Sequence, residues 1–553
     1  MSEQQGMEKW SSLWVQLSLL CVVALLVYGN TLFNGFVYDD NTNVVTNEVY
    51  RQFDLRKIFF TLSNGVEYLP LRDVTYAIDY LVWDGRPSGF HASNLIYYCG
   101  NLVAVYFFTH ALLLCLGRDK NQSSVPERLI PFFTALLFAV LPYHCEPVSA
   151  LFTRNVLVSG FFFFMTTYAF VNAVESDTDP KPLQIVGILL LYLCSMLSKA
   201  TTITLPLIFI AVLFCRQQKI RVQAAAQVMI PSGIIMLAAF FFFKTVATQT
   251  HMIAEQGLSS WSFTERLSVA LQIPLYYLGK LVAPVGFTIA YEVPFALTLA
   301  SWKVAGSVAI LAALGAVSIN QRKKHPELLF GLLWYIITLL PVMNFFQTYP
   351  VVADRYFYLP SYGMVFILVA LLLKEGLWAV QRQAVLAMAI IALAILSSRQ
   401  NQVYRNDTVL WEHAVATNPT SVKSLSNLGW NYFHAGSNDK AFATFSRLRQ
   451  LDAGDRNIDL ATGLLHFQRK EWREAIGPLQ AALMKNEDAL DTLDLLAQSY
   501  YYLGDNPKAI EYFKRMLLSK ESDLVGYRAN AVRSLDLIRQ LMQEKQAVSA
   551  DNY

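Results

Sequence analysis

The chain has 553 residues, of which 54% are hydrophobic, 13% aromatic and only 15% charged, with a net charge of +3. A soluble domain carries about 25% charged residues, so a wholly soluble protein is excluded. The positive excess is spread among loops and argues neither for nor against nucleic acid; no nucleic-acid partner is expected.

The apolar excess comes in blocks of roughly 20 residues, the length a helix needs to cross a bilayer. In chain order they are 12–29, 95–117, 130–143, 156–174, 183–198, 202–215, 224–243, 302–319, 327–346, 358–373 and 383–398. A twelfth run, 266–283, is weaker, so about 11–12 transmembrane helices are predicted. The first run is expected to stay in the chain, because "YGNTLF" follows it and no small-residue cleavage site does. The six cysteines lie in or beside these runs, with no zinc spacing and no disulfide framework expected.

Lys and Arg mark cytoplasmic loops. With the N-terminus inside, the inner loops hold Arg118, Lys120 and Arg128, then Lys181, Arg216, Lys219 and Arg221, then Arg322, Lys323, Lys324, Lys374 and Arg382. The outer segments are then 30–94, 143–155, 198–202, 244–301 and 345–360. Arg154, Lys199, Lys280 and Arg355 sit at the outer side against this bias. Each alone reads as a side chain reaching for headgroups. Together, on the side that carries the adjacent Asp39 and Asp40, they suggest a site for an anion.

From about residue 400 the composition turns soluble. Segments 425–453, 459–487 and 493–521 align at a spacing of 34, with Gly429, Gly463 and Ala497 in register. Ala441, Ala475 and Ala509 also align, as do Phe445, Leu479 and Phe513. This order of small and large residues is the tetratricopeptide pattern, a stack of helix pairs. A polar capping helix is expected at 525–546. The expected layout is a membrane domain at 1–400, a linker at 401–414, the repeats at 415–546 and a tail at 547–553.

Acids facing bases at a membrane rim suit two functions. A transporter wants ionisable groups at mid-membrane in repeated halves, a pattern this chain lacks. A transferase acting on a lipid phosphate needs cations for the leaving group and a carboxylate to take a proton from an incoming hydroxyl. Adjacent carboxylates repel, so one of the pair is expected to titrate near working pH. A non-enzymatic transporter or scaffold is the remaining reading.

"FVYDDNTNVVTN", "YLPLRDVTYAIDYLVW", "FHASNLIYYCGN", "LLFAVLPYHCEPVSALFTRNVL", "LSKATTITLPL" and "VVADRYFYLPS" occur in this order ahead of the repeats. This resembles the GT-C integral-membrane glycosyltransferases of the protein O-mannosyltransferase-like group, in the branch with C-terminal tetratricopeptide repeats. The resemblance implies an all-α, polytopic GT-C-like membrane domain followed by a soluble α-solenoid. It implies an inverting transfer of a monosaccharide from a polyprenyl-phosphate-sugar to a protein hydroxyl, or the same chemistry on a glycan or lipid acceptor. By position, Asp39 resembles the catalytic base, with Asp40 supporting it. Lys199, Arg355 and Arg154 resemble donor-phosphate contacts. His91, Asn94, His144, Glu146, Asp354 and Tyr291 resemble substrate-binding positions. No cofactor is required, although Asp40 and Glu146 could share a divalent metal. The chain departs from the family at Tyr68-Leu69-Pro70-Leu71, where Tyr-Arg-Pro-Leu is frequent and Arg72 is displaced. It departs again at Tyr98 and Leu141, where histidine is common. The sugar is therefore open. The repeats are expected to bring a protein acceptor. The expected setting is a bacterial inner membrane with site and repeats in the periplasm, the alternative being the endoplasmic reticulum lumen.

Overall fold

The computed structural model describes residues 13–63, 67–117, 125–176, 178–216, 222–249, 261–292, 295–345, 350–451, 456–519 and 526–550. Among these the chain is helical, with one isolated bridge between Ser63 and Glu67. It divides into two compact units, Met1–Leu410 and Trp411–Tyr553.

In the first unit seven helices are long and apolar enough to cross a membrane: Leu13–Phe33, Pro87–Cys115, Leu151–Glu175, Val222–Val246, Trp302–Gln321, Asp354–Leu372 and Ala379–Tyr404. A broken pair, Ile130–Ala139 with Pro142–Ser149, bends by 58°. Three shorter apolar helices, Pro182–Ser198, Ala200–Cys215 and Pro326–Val342, complete the set. Each of the eleven predicted runs falls on one of these segments. The weaker run at 266–283 is helix Phe263–Val282, which lies outside the membrane-length set and carries Glu265, Arg266 and Lys280. Arg118, Lys120, Lys219 and Arg221, part of the charge argument, lie outside the described residues.

The second span starts at Pro87, eight residues before the predicted run. Its first turns hold His91, Ser93 and Asn94, polar but buried against protein. Hydropathy reads such residues as solvent-facing, because it cannot see their partners.

The break in the third span has a local cause. A proline ring at position 142 clashes with the carbonyl four residues back and offers no N–H. Carbonyls around it are met by hydroxyls from elsewhere: Tyr98 donates to Ala139 at 2.9 Å and Ser397 to Val140 at 2.7 Å, while Leu141, which already accepts the His144 N–H at 3.0 Å, also accepts the Tyr28 hydroxyl at 3.1 Å. Backbone inside a membrane protein must be satisfied in this way.

The outer segment after the first span is not a plain loop. It folds as a wide helical turn, Asn41–Val45, then short helices Glu48–Arg51 and Leu55–Phe60, then helix Pro70–Trp83. Asn47 and Asp54 cap the two short helices by accepting the N–H groups of Val49 and Lys57. Val44, Tyr50, Ile58, Tyr76 and Phe90 pack into a core of their own beneath it.

The second unit is three helix pairs: Val422–His434 with Asn438–Leu451, Arg456–Gln468 with Trp472–Lys485, and Leu490–Tyr502 with Asn506–Leu518. Helix Tyr527–Ala550 follows them. Ahead of the pairs, the stretch expected as a linker contains helix Asp407–Thr417. The sequence register has a packing reason. A Cβ built on Gly429 would come within 2.7 Å of Phe445, and one on Gly463 within 2.5 Å of Leu479. The small residue of each first helix admits the large residue of the second.

Candidate active site

Tyr38, just before Asp39 and Asp40, holds a left-handed backbone with φ 48°. Such a conformation is uncommon for a residue with a side chain and must be held by its surroundings. Here the Tyr38 N–H is donated to Asp407 at 2.5 Å, and Asn41 donates to the other oxygen of the same carboxylate at 3.3 Å. Asp40 is turned inward and fully buried. It accepts the N–H groups of Val37 at 3.0 Å and Phe152 at 2.6 Å. Burial, partly offset by those two hydrogen bonds, pushes its carboxyl up to about 7, and the neighbouring Asp39 charge adds to the rise. The titration expected from repulsion is thus produced mainly by desolvation. It falls on the member that fastens the loop to the start of the fourth span. Asp39 is half-exposed and lies within electrostatic reach of Arg355.

Arg355 is fixed by Glu146. The buried Glu146 carboxylate accepts the Arg355 backbone N–H at 2.9 Å with one oxygen and its guanidinium with the other. The broken third span is what brings Glu146 here. Arg355 also faces two rings, Tyr356 at 5.2 Å and Phe152 at 6.0 Å. Lys199, in the short connection between helices Pro182–Ser198 and Ala200–Cys215, places its ammonium 5.9 Å from the same Tyr356 ring. The Lys199 ammonium makes no hydrogen bond or ion pair among the described residues, although the backbone on either side of it is tied to Ser195 and Thr202. Burial and the nearby Arg355 charge lower its pKa to about 7, with Glu67 and Glu146 opposing the shift. Two cations on one tyrosine ring, one of them without a counter-ion, form a place where an anion would be stabilised.

The other predicted positions divide. Asp354 is buried and accepts the Tyr291 hydroxyl at 2.6 Å. Tyr291 in turn lies 5.2 Å beneath the Lys280 ammonium, which donates to the carbonyls of Val285 and Gly286. This cluster flanks Arg355 through the chain. His144 is buried between the Tyr98 hydroxyl at 3.0 Å and Ser361 at 3.3 Å. His91 meets the Gly35 carbonyl at 3.3 Å. Both imidazoles read as packing elements.

Arg154 is reassigned. Its guanidinium is fully buried and pairs with Asp79 at 2.5 Å. It donates to Asn94 at 2.6 Å and to the Phe90 carbonyl at 2.9 Å, and faces the Tyr76 ring at 4.7 Å. With its donors committed to protein, Arg154 locks helix Pro70–Trp83 to the second and fourth spans. Asn94, which also donates to the Val148 carbonyl at 3.1 Å, belongs to the same lock and not to a substrate contact.

No group of three or more His, Cys, Asp or Glu comes together among the described residues. Asp40 has both oxygens on backbone N–H groups, and Glu146 has both on Arg355.

Sequence reasoning missed three participants. Tyr356 stood in the quoted "ADRYFYLPS" but was taken as part of a motif and not as the ring between two cations. Asp79 sits on an amphipathic helix hidden inside what reads as a loop. Glu67 pairs with Arg72 at 3.2 Å and acts on Lys199, so the displaced arginine of the family motif is linked to the cation pocket by way of a carboxylate.

Fold and site together define a polytopic helical membrane protein with a carboxylate-and-cation pocket, followed by a tetratricopeptide domain. The tetratricopeptide repeat family matches residues 491–518. Over most of its length the chain is similar to proteins named protein O-mannosyl-transferase. It is 24% identical over 83% of the chain to TMTC3 of Mus musculus, covering 54% of that protein. It is 23% identical over 82% of the chain to Tmtc3 of Drosophila melanogaster, covering 57%. It is 24% identical over 73% of the chain to TMTC1 of Homo sapiens, covering 52%. The resemblance to the O-mannosyltransferase-like branch with tetratricopeptide repeats, read from the motifs, thus extends over most of the chain. The chain spans about half the length of the curated relatives it matches.

Proposed function

We infer that the protein is a membrane glycosyltransferase that moves a monosaccharide from a polyprenyl-phosphate carrier to a hydroxyl of a protein, with inversion at the anomeric carbon. The observation that carries this reading is the cation pair on the Tyr356 ring, Lys199 and Arg355, with Asp39 in electrostatic reach. The similarity to proteins named protein O-mannosyl-transferase supports the reaction class.

In the proposed step the donor phosphate rests against Lys199 and Arg355. Asp39 takes the proton of an acceptor hydroxyl. The freed oxygen attacks the anomeric carbon from the face opposite the phosphate. The new carbon–oxygen bond forms as the bond to phosphate breaks, and the phosphate leaves with the electron pair, stabilised by the two cations. Asp40 and Glu146 do not touch the reacting atoms: Asp40 sets the loop that carries Asp39, and Glu146 sets Arg355. No metal is needed for charge balance. The positive-inside bias and the eleven crossings read from the sequence support a periplasmic or lumenal setting for the site and the repeats.

The test is mass spectrometry of secreted and membrane proteins from cells with and without the chain, together with Asp39→Asn. The expected result is a hexose-sized mass on Ser or Thr that requires the chain and is lost in the variant while the protein still accumulates in membranes. Full modification in cells carrying only Asp39→Asn would reject the reading.

A further inference from the structure

We propose that a cavity in the first outer segment is the seat of the acceptor polypeptide, taking a short extended stretch rich in Ser and Thr; this rests on the transfer reading above. The cavity has a volume of about 370 Å³, within the range that binds small ligands. Its polar lining includes Thr42, Thr46, Asn47, Thr61, Ser63 and the carboxylates Glu48 and Asp73. Thr42 lies on the turn that begins at Asp40, and its hydroxyl donates to the Asp39 carbonyl at 3.3 Å. A chain held in the cavity is therefore about one helical turn from the base.

Three observations point to a ligand and to its chemistry. First, Tyr50 lines the cavity with only 1% of its surface exposed, and its hydroxyl makes no hydrogen bond of ordinary geometry among the described residues, the carboxylate beside it, Asp73, being already held by Arg72 and Ser63. A buried donor without a partner costs about 1–3 kcal/mol and implies something that supplies one. Second, the described lining contains two carboxylates and no lysine or arginine. Asp73 is paired with Arg72 at 2.9 Å, and no cation lines the cavity to receive a phosphate, so this is not an extension of the donor site at Lys199 and Arg355. Third, one wall is an extended strand-like stretch, Thr61 to Ser63, bridged to Glu67 on one edge. The Leu62 N–H and carbonyl between them take no backbone partner among the described residues. An extended main chain with a free N–H and carbonyl is what a second extended main chain pairs with. A pyranose instead seeks an open aromatic face, and the Tyr50 ring is packed against Tyr76, with centroids 5.5 Å apart.

The experiment measures binding and transfer separately on the full chain in detergent. The probe is a fluorescein-labelled peptide of alternating Thr and Ala, followed by polarisation, with unlabelled mannose and inorganic phosphate as competitors. Thr46, exposed at the rim, is replaced by Trp to fill the cavity, and Tyr50→Phe removes the unpaired hydroxyl while keeping the ring. The expected result is a peptide Kd raised at least tenfold by Thr46→Trp and severalfold by Tyr50→Phe. The KM for peptide should rise with kcat little changed, and affinity for a polyprenyl phosphate should stay the same. Peptide binding within twofold of wild type in both variants, or displacement of the peptide by mannose or phosphate, overturns the assignment. Binding without any transfer in the wild type would remove the reaction but leave the cavity as a peptide site. Transfer that neither variant alters would do the reverse.

Discussion

Replacing Glu146 with Gln tests how the anion pocket is held together. The substitution keeps the shape of the side chain and one oxygen for the Arg355 backbone N–H. It removes the charge and turns the second oxygen into an NH2 group facing a guanidinium. Glu146 is 2% exposed and Arg355 17%, so water replaces the lost partner poorly. Breaking a buried pair from one side costs about 3–5 kcal/mol, and the partial exposure of Arg355 moves the expectation to the lower end, about 2–3 kcal/mol. At about 1.4 kcal/mol per factor of ten, a comparable loss of Arg355 placement corresponds to roughly 30- to 140-fold in kcat/KM. The assays are thermal unfolding in detergent and initial-rate kinetics with varied donor. A double-mutant cycle adding Arg355→Gln isolates the pair: the double variant should be no less stable than Glu146→Gln alone, because no unpaired charge remains. Glu146→Gln with wild-type melting and kcat/KM within twofold would refute the claim that this carboxylate sets the arginine.

Asp40 and Asp39 should separate cleanly under the same conservative change. Asp39→Asn is expected to lower kcat by about 10²–10⁴, the usual contribution of a general base, whereas Asp40→Asn, which keeps an oxygen for one of the two N–H groups and turns an NH2 toward the other, should loosen the loop but keep a tenth or more of the activity, since Asp40 does not touch the reacting atoms. Rate measurements on both purified variants decide this, and equal losses would merge the two roles. Lys199 titrates near 7 and must be charged to hold phosphate, so donor affinity should fall as pH rises through that value; Lys199→Arg, always charged, should flatten the profile of KM for donor between pH 6 and 9. In the repeats, Gly463→Val should destabilise the second unit by about 1–3 kcal/mol through overpacking against Leu479, while Gly477→Ala, with open space around its Cα, should be neutral or slightly stabilising. Thermal unfolding of the full chain followed through its repeat-domain transition checks both.

What could be read from the chain follows from how local each signal is. A membrane span is announced by its own composition, and the eleven runs correspond to helices one by one. The repeat register is likewise local, carried by Gly429 and Phe445 and their equivalents at fixed spacing. The outer segment was legible in part: Asn47 before Glu48, Asp54 before Leu55 and Pro70 at a helix start are capping and initiation signals that mark three helices where a loop was expected. Arg154 was not legible. Its fate depends on Asp79, 75 positions earlier, and on Phe90 and Asn94, and only the fold shows that its donors are used up. The same holds for Tyr356, whose role comes from two cations supplied by different segments.

The kink at Pro142 has a bearing on how the molecule is put together during synthesis. The carbonyls of Ala139 and Val140, and the remaining lone pair of Leu141 beyond the His144 N–H it already accepts, wait for hydroxyls that arrive from the first, second and last spans. Ser397 emerges some 250 residues after the peptide group it serves. Until that closing helix inserts, the elbow bearing Glu146 has no complete set of supports, and the grip on Arg355 cannot settle. The charged centre is thus a late product of assembly, and a nascent chain halted before residue 397 would hold every polar group of the pocket yet lack the frame that aligns them.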